Sequence, residues 1–205
     1  MLGHVAYRAA NRVTLLAWWE VLKLTLDRLN APSTDDASRT ETRVLGAEQM
    51  RPYVGGELTD TFVSAAAENG DRCVACFEDS RWVSYSWFST RPTRLVELHP
   101  DLALCFDPSY QYMYNSFTLP SHRGRRLHGQ GMAVALETFA AEGSKGLLFY
   151  VDSTNFASLR SCERLGSERV GRVMIARIGG RHLLHSSVGC KPYDFRVERR
   201  PLGGA

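Results

Sequence analysis

Apolar and polar positions change their period along the chain, and each change marks an element. In the opening stretch Leu15, Trp18, Trp19, Leu22, Leu26 and Leu29 recur at helical spacing while Glu20, Lys23 and Asp27 fall opposite, which predicts an amphipathic helix over 1–30. Its apolar face calls for a cover: the chain's own domain, a second copy, or a membrane surface. The last is disfavoured because the polar face mixes acids with bases. Asn30-Ala-Pro-Ser-Thr-Asp-Asp-Ala-Ser predicts a linker over 31–41. From there the pattern predicts a single domain over 42–190. It begins with a strand at Arg43-Val-Leu, a helix from Glu57 to Ala67 closed by Asn69-Gly70, and strands Arg72–Glu78 and Trp82–Ser89 joined at Asp79-Ser80. Arg94–Leu98 reads as a further strand, and so does Tyr110–Leu119. Met132, Ala135, Leu136 and Phe139 then set a helix over Gly129–Ala141, followed by Gly143 and the apolar strand Leu147–Val151. A helix from Asn155 to Leu165 ends at Gly166, and Arg169–Ala176 and His182–Val188 pair around Gly179-Gly180. Residues 191–205 read as a tail. The class is mixed α/β, with a strand-helix-strand unit between a hairpin and a closing antiparallel pair.

Composition narrows the function classes. With 205 residues, 44% apolar and 23% charged, the chain fits one packed domain, and a disordered or fibrous chain is excluded. A formal charge of +3 gives no general case for nucleic acid as a partner. Charges at Glu20, Lys23, Asp27 and Arg28 interrupt the most apolar region, so no transmembrane segment is expected. The five cysteines form an odd set without scaffold density, which points to free thiols and a cytoplasmic address. Cys73 and Cys76 lack a second pair or a nearby His to complete a zinc site, and they sit in a strand pattern; no metal is expected.

Chemistry concentrates in Thr118-Leu-Pro-Ser-His-Arg-Gly-Arg-Arg-Leu-His-Gly-Gln-Gly, between a strand and a helix. Free amides at a helix start carry partial positive charge, and Arg123, Arg125 and Arg126 add to it with no acid between Ser121 and Gly131. An anionic group such as a diphosphate suits that turn; a solvated basic turn is the plain alternative.

At this segment the chain resembles the GNAT superfamily of acyl-CoA N-acyltransferases, whose motif runs strand, Pro-x-x-Arg-Gly-x-Gly-x-Gly, helix, Gly, strand, Asn-x-x-Ala/Ser, helix, Leu-Gly-Phe. Pro120-Ser-His-Arg123-Gly124 matches the opening, Gly143 the residue after the helix, Asn155-Phe-Ala-Ser158 the next cap, and Glu163-Arg-Leu-Gly166 the end. Arg123 and Asn155 are thirty-two residues apart, as in a typical member. The resemblance covers residues 110–175 and, in element order only, 43–90. It implies a mostly antiparallel sheet with a central splayed strand pair and flanking helices. It also implies acetyl-CoA or another acyl-CoA as co-substrate and an amine-bearing acceptor, either a small molecule or a protein. Backbone at Thr118 and Leu119 would hold the pantetheine arm. The turn Gly124, Arg125, Arg126, Leu127, His128 and Gly129, with Arg123, would hold the pyrophosphate, beside Asn155 and Ser158.

Arg126 and His128 stand where the family has glycines, and a second motif-like run, Arg126-Leu-His-Gly129-Gln-Gly131, would shift the helix start. Cys162 stands where many members have the Tyr that protonates the leaving thiolate, and Ser167 replaces the closing Phe. A thiol can donate a proton to a thiolate, which makes Cys162 a candidate acid; a small packed helix residue is the plain reading. Glu97 and His99, two apart and so on one face of a strand, are candidate bases, as is Asp107. Tyr110, Tyr112 and Tyr114 fall on the expected acceptor side, where they suit a flat or apolar acceptor or simply fill the core. The expected activity is acetyl transfer to an amine. Long-chain transfer from acyl-CoA or an acyl carrier protein, and a lapsed domain that only binds CoA or a partner protein, are the alternatives. A homodimer is a candidate assembly.

Overall fold

The computed structural model describes residues 16–30, 40–178 and 181–200. Its first element overturns the expected N-terminal helix. Leu16–Leu24 is a strand, β1, lying between two other strands near the middle of the main sheet. The physical reason is burial on both faces: Ala17, Trp19 and Val21 enter one core, while Leu22 and Leu24 enter the other. A strand sandwiched this way loses its apolar-polar alternation, and the remaining apolar positions happen to fall at helical spacing. Trp18 is left 44% exposed and Leu26 50% exposed. Leu15, residues 31–39 of the linker expected over 31–41, and the Gly179-Gly180 turn lie outside the described residues, and the last residue of that expected linker, Glu41, opens a strand instead.

The remaining predicted elements follow in order, with a 3₁₀ segment and two strands, Leu102–Cys105 and Arg196–Arg199, added to them. They are β2 (Glu41–Gly46), a 3₁₀ segment (Ala47–Tyr53), α1 (Asp60–Asn69), β3 (Arg72–Glu78), β4 (Arg81–Ser89), β5 (Thr93–Arg94) and β6 (Leu102–Cys105). Then come β7 (Gln111–Thr118), α2 (Leu127–Ala141), β8 (Leu147–Asp152), α3 (Phe156–Arg164), β9 (Glu168–Ile178), β10 (Arg181–Ser186) and β11 (Arg196–Arg199). Thr59 caps α1 by accepting the Phe62 amide, and Gly70, at φ 77°, ends it in the left-handed conformation that glycine adopts without a Cβ clash. Asp79 and Ser80, both at positive φ, turn β3 into β4.

The main sheet has the order β10-β9-β1-β8-β7-β4-β3-β2, antiparallel throughout except for β7 and β8. One face packs α2 and α3 through Met132, Leu136, Phe139 and Leu159 onto Leu22, Phe88, Met113 and Phe149. On the other face α1 contributes Val63 and Ala66 beside Ala75 and Trp87. A small sheet, β11-β6-β5, contributes Leu102, Leu104 and Val197 beside Trp19, Tyr112 and Ile175.

Two further expectations are corrected. The expected strand Arg94–Leu98 stops at Arg94, because the Leu95 carbonyl accepts the amides of Leu98 and His99 and bends the chain. The expected tail contains β11, paired with β6, and Phe195 and Val197 are buried in the core. Among the described residues no helix is long and apolar enough to cross a membrane.

Candidate functional site

β7 and β8 run parallel and pair only at Gln111 with Leu147 and Tyr112 with Leu148. Beyond those positions they part. The pairing of β7 with β4 shifts between Tyr85 and Trp87, and Asn115 there takes a φ of 43°. A bulge of this kind bends and twists its strand, which carries the end of β7 away from β8. Two cavities of about 810 and 790 Å³ meet along the split. They share Thr118, Arg123, Gly124, His128, Ser161 and Cys162 on their walls.

At one end of the split the chain makes a turn into α2. Gly124 (φ 84°) and Arg126 (φ 59°) are both left-handed, and no side chain caps the helix. The first amide bonded back to the turn is Gln130 N–H, on the Arg126 carbonyl at 3.1 Å. Backbone N–H groups at Leu127, His128 and Gly129 are therefore left to the cavity, at the positive end of the helix dipole. Gly129 and Gly131 lie inside α2, so the Gly124–Arg126 turn precedes the helix, rather than the motif-like run three residues later.

The basic residues do not all serve this cavity. Arg123 lines both cavities and donates Nε–H to the Thr118 carbonyl at 3.3 Å; Arg126 lines the first. Arg125 turns away instead. Its Nη1 and Nη2 donate to the two oxygens of Glu78 at 3.0 and 3.2 Å, and His122 Nε2 meets the same carboxylate at 2.8 Å. Arg125, and then His122, hold the Glu78 carboxyl below its ordinary range. Leu119 is also displaced from its expected role: its amide donates to the Val83 carbonyl at 2.9 Å and its side chain packs with Val83 and Leu127. Successive residues of a strand face opposite edges, so Thr118 is the one whose backbone faces the split.

On the opposite wall Asn155 caps α3, its Oδ1 accepting the Ser158 amide at 3.2 Å, and both residues line the second cavity. Asn155→Ala removes that cap and is expected to lower stability by about 1 kcal/mol, read from urea unfolding. Ser158, Ser161 and Cys162 follow at helical spacing and present one face of α3 to the split. Burial pushes the Cys162 thiol up to about 11, with the Glu163 charge adding to the shift, so it keeps its proton at neutral pH. It is suited to donating a proton, though weakly, and poorly suited to attacking a thioester.

Glu97 and His99 do not share a strand face. Glu97 is exposed in the turn after Leu95. Its charge, after burial, helps push the Tyr150 phenol up to about 12. His99 stacks edge-on against His182 at 4.6 Å and accepts the Asp101 amide on Nδ1 at 3.2 Å. Neither lines either cavity, nor does Asp107, which accepts the Ser109 amide. Tyr112 and Tyr114 do line the second cavity, while Tyr110 packs edge-on against Tyr193.

Sequence reasoning missed several residues here. Ser161 lines both cavities, and its place one turn after Ser158 was the available signal. Tyr150 stacks on Trp19 at 3.8 Å and on Tyr112 at 6.4 Å. The Tyr114 hydroxyl donates to Asp71, a buried carboxylate that also accepts from Asn69. Burial raises the Asp71 pKa against the lowering effect of those bonds. Among the described residues no cluster of His, Cys, Asp and Glu could hold a metal ion.

No family model matches the chain, and no match was found among curated proteins. Solved structures do match. The chain is similar to a Drosophila protein at TM-score 0.55 and 16% identity, covering 88% of this chain and 58% of that one. It is similar to a putative acetyltransferase of the GNAT family from Novosphingobium aromaticivorans at TM-score 0.50 and 17% identity, covering 84% and 66%. A GCN5-related N-acetyltransferase-like protein from Streptococcus suis matches at TM-score 0.53 and 12% identity, covering 89% and 67%. The chain thus spans less than two thirds of the first two. At these identities the likeness shows the fold, which is that of the GNAT acetyltransferases.

Proposed function

We propose that this GNAT-fold chain is an N-acyltransferase that moves a short acyl group, acetyl in the first instance, from acyl-CoA to an amine. The observation that carries the reading is the split between β7 and β8, which runs into the uncapped start of α2. An open strand edge offers hydrogen bonds to the amides of a pantetheine arm, and the helix start with Arg123 and Arg126 offers charge and N–H groups to a diphosphate. At the other end of the split Tyr112 is buried and stacked with Tyr114 and Tyr150, which favours a short acyl group over a long chain.

In the reaction the neutral amine attacks the thioester carbon, the C–N bond forms, the C–S bond breaks, and the amine proton must leave. The thiolate takes up a proton in turn. Cys162 stands on the wall shared by the two cavities as a proton source. Tyr114, hydrogen-bonded to buried Asp71, lines the acceptor side and supports a route for the amine proton, the phenol receiving it while passing its own to the carboxylate. Glu97 and His99 would need intervening water or a movement of their turn to take part.

A second reading, donor binding without turnover, is favoured by the side chains at Arg126 and His128 and by a thiol at Cys162. Calorimetric titration with acetyl-CoA, longer acyl-CoAs and free CoA tests the binding step. Acetyl-CoA and CoA are expected to bind with micromolar affinity, and absence of binding at high micromolar concentration overturns both readings. Thiol release from acetyl-CoA in the presence of a panel of primary amines then separates them: release beyond the amine-free rate supports transfer, and none supports binding alone.

A further inference from the structure

His128 occupies an unusual place for a titratable side chain. It lies in the first turn of α2, two residues past the left-handed Arg126, and it lines both cavities where they meet. Its Nδ1 is 3.4 Å from Ser86 Oγ, a buried hydroxyl on β4, which fixes the ring against the sheet. The charged groups that line the first cavity with it all oppose a positive charge there. The helix start supplies partial positive charge, Arg123 and Arg126 stand in the turn, and Arg164 on α3 lines the same cavity. The Cys162 thiol of α3, which lines both cavities with it, is neutral. Thr118 on β7 and Ser86 on β4 carry no charge, and His122 is held on Glu78. Among the described residues the only carboxylate on these walls is Asp152, in the second cavity. Burial acts in the same direction and lowers the His128 pKa below the ordinary imidazole value.

A diphosphate entering this turn reverses the local field, because its two negative charges lie next to the same ring. We propose that His128 is a ligand of the donor's diphosphate and takes up a proton as the donor binds. The inference rests on the donor-binding step of the proposed function and adds to it a residue and a proton. It gives His128 a role where the resembling family has a glycine: a side chain that is neutral in the empty site and cationic in the occupied one, so no uncompensated charge is buried in either state. The sign follows from linkage. A group whose pKa is higher in the complex than in the free protein favours the complex at low pH, and that advantage is lost as pH rises through the pKa of the complex.

The test is calorimetric titration with 3′-dephospho-CoA, which keeps the diphosphate but lacks the phosphomonoester that would itself titrate near pH 6. Titrations at pH 7 in buffers of different ionisation enthalpy give the protons taken up per ligand bound. The wild-type protein is expected to take up about 0.5–1 proton, with affinity falling up to about tenfold per pH unit between pH 6 and 8. His128→Gln and His128→Asn, each checked for native near-UV circular dichroism, are expected to bind more weakly, with near-zero uptake and a flat pH profile. Binding by the wild type with no proton uptake, or the same uptake in the wild type and both variants, overturns the role of His128 and leaves the donor site standing. Absence of binding by folded wild-type protein overturns the donor site itself.

Discussion

Gly166→Ala is expected to be among the most damaging single-methyl substitutions in this chain. Gly166 follows α3 with a φ of 101°, and a Cβ built on it would lie 1.8 Å from the Arg28 carbonyl oxygen and 2.9 Å from its carbon. Both are backbone atoms and cannot rotate aside. The contact belongs to a clasp between the end of β1 and the end of α3. The Asn30 amide donates to the Leu165 carbonyl at 2.9 Å, and Arg28 Nε to the Gly166 carbonyl at 3.4 Å. Relieving the clash means moving 28–30 off the helix end, which adds lost hydrogen bonds to left-handed strain and overpacking. The expected cost is about 3–5 kcal/mol, read as a fall in the urea midpoint at unchanged slope. Gly143→Ala is the control. It has a similar φ of 96° but nothing within 4 Å of the added carbon, so only the strain of about 1–2 kcal/mol remains. Equal losses in the two variants would mean that Arg28 does not lie against Gly166. Because Asn30, Arg164 and Leu165 line the first cavity, Gly166→Ala is also expected to weaken donor binding in whatever fraction stays folded.

These positions also show what the sequence could and could not reveal. Helices α1, α2 and α3 were legible because each has one buried stripe and a glycine soon after its end. β1 was not, because burial on both faces removes the alternation by which a strand is read, and the spacing of Trp18, Trp19 and Leu22 then imitates a helix. Its place between β8 and β9 depends on residues more than a hundred positions away. The basic turn was legible from Pro120 to Gly124 as a run without acids before an apolar helix. The fate of Arg125 was not, since its carboxylate partner, Glu78, is forty-seven residues upstream at the end of a hairpin strand. Likewise, placing Glu97 and His99 on one face required a strand that the hydrogen bonds to the Leu95 carbonyl do not allow. The split left one trace in the sequence, Asn115, a residue type that tolerates positive φ, and that alone does not announce a bulge.

The contrast between Arg126→Ala and Arg126→Gly separates the two contributions this residue makes. Its backbone is left-handed at φ 59° and ψ 16°, so a Cβ costs energy there, and the cost is the same in kind for Arg and Ala. Its side chain lines the cavity beside Arg123 at the start of α2. Arg126→Gly is therefore expected to be more stable to urea than Arg126→Ala by about 1 kcal/mol. For binding, both variants lose the same guanidinium. A hydrogen bond between a charged donor and a phosphate oxygen contributes about 1.5–3 kcal/mol, which corresponds to an acetyl-CoA dissociation constant raised about 10- to 150-fold in either variant. The loss should shrink as salt is added, because the lost term is electrostatic and partly exposed. If Arg126→Gly instead binds as tightly as the wild type while Arg126→Ala does not, the diphosphate is held by close approach to the backbone, as in the glycine-bearing motif. The arginine at this position would then obstruct the site rather than serve it.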